Sequence, residues 1–371
     1  MEILYILLVL LLATRLGGEV AERLGQPTLV GELLAGILLG VVATQFSGRF
    51  PILSDLGENE VFHGITDLGI FFLMLLAGLE LKPSDIVESS GQALGVALGG
   101  MILPLGLGFG LAWWFLPASD VRFAQALFMG TAMAITAVPV AVKILMGLGK
   151  LQSRAGKILV SAAVYDDIAS LILLAVLTAV IAQGSLPDLA TFGLLLLKVG
   201  GFFAVAIVLG RYAFPWIGQR LKNTAADEFE FSMLLVAAMA YAVVGELLGL
   251  HFIVGAFLAG LFFSRNTVNK EVFEGTKSRV SGITIGFLAP VFFASIGMSL
   301  DLAAVTEIPV LLGLILLVAF LGKLLGAGIP AYLSGVPLRA SSAIGAGMCA
   351  RGGGRADCRR DRAPRRVVRL A

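Results

Sequence analysis

Apolar runs about as long as a lipid bilayer is thick recur along this chain, and they leave few folds open to it. A run near 20 residues crosses the hydrocarbon as a helix, and only structures that satisfy their own backbone polar groups survive there. We read about twelve hydrophobic segments: 3–13, 28–42, 64–81, 91–116, 123–148, 155–182, 189–214, 229–249, 252–263, 282–300, 309–334 and a last, incomplete one opening at Arg339. The first, second and ninth are shorter than a straight span requires. With 58% hydrophobic and only 14% charged residues, against about 25% charged in soluble proteins, the expectation is an all-α polytopic membrane protein. The first segment has no basic stretch before it and no small-residue cleavage site behind it, so it reads as a spanning helix and not a signal peptide. Cys349 and Cys358 provide neither a disulfide framework nor a metal-ligand cluster. No cofactor, enzyme activity or nucleic-acid partner is expected.

The positive charges fall unevenly on alternate loops. One side collects Arg15, Arg23, Lys82, Lys143, Lys150, Arg154, Lys157, Arg211, Arg220, Lys222, Arg265, Lys270, Lys277, Arg279 and Arg339, and the other has Arg49 and Arg122. Because basic loops stay in the cytoplasm, this bias places the chain in the cell membrane as a multi-pass protein, N-terminus outside.

An internal repeat is written in the sequence. E-R-L-G-Q-P-T-L-V-G-E-L-L-A-G (22–36) and E-L-L-G-L-H-F-I-V-G-A-F-L-A-G (246–260) agree at eight of fifteen positions. A second match follows in order, F-F-L-M-L-L-A-G-L-E-L near Phe71 against V-F-F-A-S-I-G-M-S-L near Val291. Seven segments separate the equivalents. An odd number turns the second copy over, giving the inverted-topology repeat of many secondary transporters.

Against this apolar background two adjacent carboxylates stand out, Asp166 and Asp167 in A-A-V-Y-D-D-I, within a run from Ile158 to Ile181. Ionised side chains at membrane depth are costly and mark ion pathways and proton relays. Adjacent residues on a helix point about 100° apart, so one carboxylate can meet a partner while the other faces a cavity. The partner available is Lys323, in L-G-K-L-L-G, deep in the eleventh segment. Two such carboxylates should titrate as a coupled unit. A site of this kind holds protons or a hard cation but not both. Lys198 is a weaker candidate, its long stem allowing it to snorkel. Glu22 and Glu246, beside helix ends at matched repeat positions, read as structural caps or inter-helix hydrogen-bonding groups, and Glu80 as interfacial.

The fifth segment, F-M-G-T-A-M-A-I-T-A-V-P-V-A-V-K, carries Pro139, which frees carbonyls near Ile135 and Thr136. A plain proline kink is the alternative. Its counterpart is S-S-A-I-G-A-G-M-C-A-R-G-G (341–353), broken by glycines including Gly352 and Gly353. Two interrupted segments at equivalent positions point to a substrate site.

Together these motifs resemble the second family of monovalent cation:proton antiporters, the bacterial sodium/proton and Kef-type potassium/proton exchangers. The resemblance covers most of the chain. It implies thirteen helices, two of them crossed and unwound, and a homodimer. Asp167 would bind the transported Na+, Li+ or K+ and the proton, Asp166 would pair with Lys323, and Thr136 would lie on the unwound crossing segment. Alternating access would make the two substrates exclude each other, and an Asp-Asp site with a lysine implies more protons than cations per cycle. A Kef-type K+/H+ efflux transporter and an inactive truncated antiporter are the alternative readings.

Three other readings fare worse. An intramembrane aspartyl protease needs a second Asp in G-x-G-D, and no Gly-Asp dipeptide occurs. A bile-acid-type sodium symporter does not account for Asp-Asp with a buried lysine. A nucleotide-gated efflux system more often carries Gln-Asp. From Arg351 onward the chain has eight arginines and two aspartates, which no crossing helix would tolerate. We therefore expect a membrane antiporter domain over 1–350 and an Arg-rich tail over 351–371. That tail reads as a truncated or frame-shifted terminus, or as a genuine basic tail.

Overall fold

The computed structural model describes residues 2–45, 59–119, 121–136, 138–183, 189–213, 229–248, 250–263, 270–300 and 309–349. All regular structure among them is helical: α1 (Glu2–Arg23), α2 (Thr28–Gln45), α3 (Glu60–Glu80), α4 (Pro83–Phe115), α5 (Arg122–Ala134), α6 (Val138–Gly147), α7 (Arg154–Gln183), α8 (Leu189–Val208), α9 (Phe229–Leu247), α10 (Phe252–Phe262), α11 (Lys270–Ile283), α12 (Ala289–Met298), α13 (Pro309–Leu333) and α14 (Leu338–Met348). Among the described residues, eight helices are long and apolar enough to cross a membrane.

Local chemistry explains where these helices stop. Gly25 takes φ +71° just past α1, the Gln26 N–H reaches back to the Ala21 carbonyl, and Pro27 follows. That is the left-handed glycine closure of a helix end. Gly149 closes α6 the same way, with φ +62° and a Lys150 N–H bond to the Leu145 carbonyl. At the other end of α3, the Asn59 side chain caps the Phe62 N–H at 3.0 Å.

Two segment boundaries differ from the sequence reading. The first helix does not end at residue 13. It runs on through Arg15 to Arg23, and the Arg15 guanidinium donates to the Ile285 and Gly286 carbonyls. The tenth segment begins at Lys270, because the polar stretch K-E-V-F-E-G-T-K-S-R-V-S is already helical. It passes through a π-turn at Thr284–Leu288 into α12. The ninth segment is short as expected, 11 residues, and Ile253 through Leu261 are all buried. Neighbouring helices cover it, so it need not match the bilayer.

The repeat returns as packing. A Cβ at Gly31 would strike the backbone of Gly17 and Gly18, and one at its mate Gly255 would strike Tyr241 and Ala242. A Cβ at Gly297 would meet Leu33, Gly36 and Ile37, and one at Gly78 would meet Phe257, Gly260 and Leu261, the same three repeat positions. Gly99 of α4 and Gly326 of α13 each approach the other's carbonyl oxygen. Such reciprocity is what two equivalent elements show where they meet on a local twofold. Small residues let membrane helices pack at this distance.

The helices sort into two sets. α1, α2, α3, α9, α10, α11 and α12 pack on one another, as do α4, α5, α7, α13 and α14. The short α6 touches α2 and α3 on one side and α7 and α14 on the other. The seam between the sets is apolar, with Leu29, Leu73 and Phe293 facing Val140, Ile158 and Ala162.

Candidate functional site

The site forms where α7, α13 and the gap between α5 and α6 converge. α5 ends at Ala134, and Ile135 turns extended with φ −68° and ψ 136°. Pro139 is the second residue of α6, where a missing N–H leaves no helical bond unmade. The proline therefore marks a break between two helices and not a kink within one. The break releases the Thr136 backbone from both ladders.

Asp166 takes up what the break frees. The Thr136 N–H donates to Asp166 Oδ2 at 3.1 Å. Lys323 Nζ stands 3.5 Å from the same oxygen and donates to Thr136 Oγ1. Asp166 is 1% exposed and Lys323 4%, so each is a charge that could not stay ionised there without the other. The other carboxylate oxygen, Asp166 Oδ1, is buried without a hydrogen-bond partner. One threonine thus bridges the anion and the cation, donating from its backbone and accepting at its hydroxyl.

Asp167, the next residue on α7, points elsewhere. It is only partly buried and forms no ion pair or hydrogen bond with another described residue. The two carboxylates therefore have separate surroundings, one tied into the protein and one without a partner among the described residues. Four of the residues singled out in the sequence, Thr136, Asp166, Asp167 and Lys323, come together here, with Pro139 a turn away. Gly352 and Gly353 lie outside the described residues, as does the Arg-rich tail.

The other flagged charges stand apart. Lys198 is exposed on α8, and Glu22 and Glu246 are exposed at helix ends. Glu80 pairs with Lys277 at 2.8 Å, each about a quarter exposed. Lys143 is a correction, since the loop tally counted it and it lies within α6, 6% exposed. Its Nζ is 3.9 Å from Glu32 Oε1 on α2, and Glu32 is 2% exposed. The sequence reading passed over Glu32. The signal was there, a carboxylate four residues into an apolar helix beginning at Thr28.

A polytopic helical protein with an interrupted span and a buried carboxylate–lysine pair has the construction of a secondary transporter. Residues 6–354 match the family described as sodium/hydrogen exchanger, transmembrane, and the chain belongs to that family. It is 33% identical over 354 residues to the Na(+)/H(+)-K(+) antiporter GerN of Bacillus cereus, covering 95% of this chain and 85% of the relative. A Na(+)/H(+) antiporter of Enterococcus hirae is 30% identical over 352 residues, covering 95% and 87%. Among solved structures, the sodium proton antiporter MjNhaP1 of Methanocaldococcus jannaschii superposes with a TM-score of 0.64, covering 94% of this chain and 85% of that one. At 18% sequence identity, that match concerns the fold. As a member of this family the chain is a transporter and not an enzyme.

Proposed function

We propose that the protein exchanges a monovalent cation for protons by alternating access, with Asp167 as the carboxylate that carries either one. The observation that carries this reading is the contrast between neighbours. Asp166 is held by Thr136 and Lys323, while Asp167 beside it has no protein partner among the described residues. A carboxylate kept from internal pairing, next to opened backbone, can lose a proton and take a hard cation on oxygen ligands. Asp167, the Thr136 region and water would supply those oxygens. Asp166 and Lys323 position the broken segment and do not themselves carry the cargo.

Sodium is the first substrate, in keeping with the named relatives. Potassium stays in the class because the Bacillus cereus relative is named for both ions. The exposed stripe of Leu4, Leu8, Leu12, Leu16 and Val20 on α1 suits lipid or a second copy in a homodimer. Inside-out vesicles from antiporter-deficient cells, carrying a pH-gradient dye, test the reading. Addition of Na+, Li+ or K+ should collapse a preformed proton gradient in vesicles containing the protein. A gradient indifferent to all three ions would overturn it.

A further inference from the structure

A second buried ion pair lies outside the Asp166–Asp167 site. Glu32 on α2 and Lys143 on α6 are 2% and 6% exposed, with 3.9 Å between Nζ and Oε1. The other carboxylate oxygen, Glu32 Oε2, is buried without a hydrogen bond. Arg15 of α1 adds a second positive charge within electrostatic reach of both. A loose pair with an unsatisfied oxygen is a poor way to stabilise a core, because desolvation offsets most of the attraction. Its placement suggests another role.

The pair joins α2, in the first helix set, to α6, which lies between the two sets and touches both. Among ion pairs whose partners are both described, Arg23–Glu19 lies within α1, Lys277–Glu80 joins α11 to α3, and Lys323–Asp166 joins α13 to α7. Each of those stays inside one set, whereas Glu32–Lys143 ties α2 to α6 through an otherwise apolar seam. α6 is also the half-helix that begins just after Thr136. Lys143 lies seven residues beyond that threonine, at the sixth position of α6.

The pair is also one-sided. Glu32 falls in the internal repeat, and the residue at its mate position is Ala256. An inverted repeat puts equivalent positions near opposite faces, so the second half carries no matching carboxylate there. Glu32 lies one turn from the start of α2, and Lys143 one turn from the end of α6. Both ends lie on the side where α1 ends, which the basic-loop bias assigns to the cytoplasm.

We propose that Glu32 and Lys143 form a latch that closes the cytoplasmic route to the cation site and biases the transporter toward its outward-open state. Each cycle parts α2 from α6 and breaks the pair, and its re-formation returns the protein to the outward-facing side. This rests on the alternating-access reading above. Binding to a state populated only in part is weakened by that fraction, so removing the latch has opposite consequences on the two faces.

The test compares wild type with the double variant Glu32→Gln/Lys143→Gln in inside-out and right-side-out vesicles, using Na+ as the probe. The KM for Na+ at the cytoplasmic face should fall threefold or more, while the KM at the outer face rises. A KM unchanged on both faces, or moved the same way on both, overturns the latch. If wild type exchanges no cation at all, it is the antiport reading that fails. Should the neutral pair not reach the membrane, Glu32→Cys/Lys143→Cys, in a chain with Cys349→Ser and Cys358→Ser, decides the question. Joining the two new thiols with a reducible bifunctional thiol reagent should stop exchange, and reductant should restore it. Undiminished exchange by the fully cross-linked protein would show that α2 and α6 move as one body.

Discussion

Thr136 and Asp166 are 30 residues apart in sequence and joined by a backbone N–H donated to Oδ2 at 3.1 Å. That bond holds an interrupted helix open at membrane depth, since without it the Thr136 N–H would be buried with neither helix to satisfy it. Lys323 completes the arrangement from a third helix by meeting both the carboxylate and the threonine hydroxyl.

Breaking that arrangement from one side should be expensive. Asp166→Asn leaves Lys323 buried opposite a neutral group, and removing one member of a buried pair costs about 3–5 kcal/mol. The purified variant should lose several degrees of apparent melting temperature. Asp166→Asn/Lys323→Met, which removes both charges, should recover much of that loss, and a double-variant cycle on the melting temperatures checks it.

The threonine hydroxyl can be separated from its backbone. Thr136→Val keeps the N–H bond to Asp166 and deprives Lys323 of an acceptor, and an unsatisfied buried donor costs about 1–3 kcal/mol. Exchange should weaken roughly tenfold at the lower part of that range, and Thr136→Ser should restore it. Initial rates of Na+-driven proton efflux from proteoliposomes measure both.

Glycine positions should divide sharply. A Cβ at Gly36 would run into the backbone of Ala294, whereas Gly64 has nothing within 4 Å of a built Cβ. Gly36→Ala should therefore destabilise by about 1–3 kcal/mol, the usual cost of overpacking, and Gly64→Ala should not. Size-exclusion profiles and thermal aggregation temperatures of the two variants give the comparison.

The Glu80–Lys277 pair provides the contrasting case. At 2.8 Å it has the shorter distance of the two, yet it is partly exposed, and such pairs contribute about 0–1 kcal/mol. Lys277→Gln should shift the melting temperature far less than Asp166→Asn despite the better geometry. A loss as large as that of Asp166→Asn would show that distance and not burial governs these pairs.

The parts of this molecule that could be read from the sequence are those where chemistry contradicts its surroundings. Asp166, Asp167 and Lys323 were conspicuous because no other charge lies close to the pair or to the lysine in sequence, and Pro139 because it cannot serve a helix interior. Glu32 escaped notice, and Lys143 passed for a loop residue, for the opposite reason. Each lies one turn from a helix end and resembles an interfacial residue in the linear chain, and only the packing of α2 against α6 buries them. Arg15 misled in the same way, since a charge inside α1 looks like a boundary until the carbonyls of Ile285 and Gly286 receive it. The repeat was visible as letters, but the contacts it specifies, Gly31 on Gly17 and Gly255 on Tyr241, arise only in three dimensions.

The central claim, that Asp167 carries the cargo while Asp166 holds the scaffold, is tested most directly by one comparison in proteoliposomes. Asp167→Asn should retain the wild-type melting temperature to within a degree or two and lose 22Na+/proton exchange by at least a hundredfold. Cation-driven exchange persisting in the folded Asp167→Asn protein at near wild-type rate would contradict the assignment.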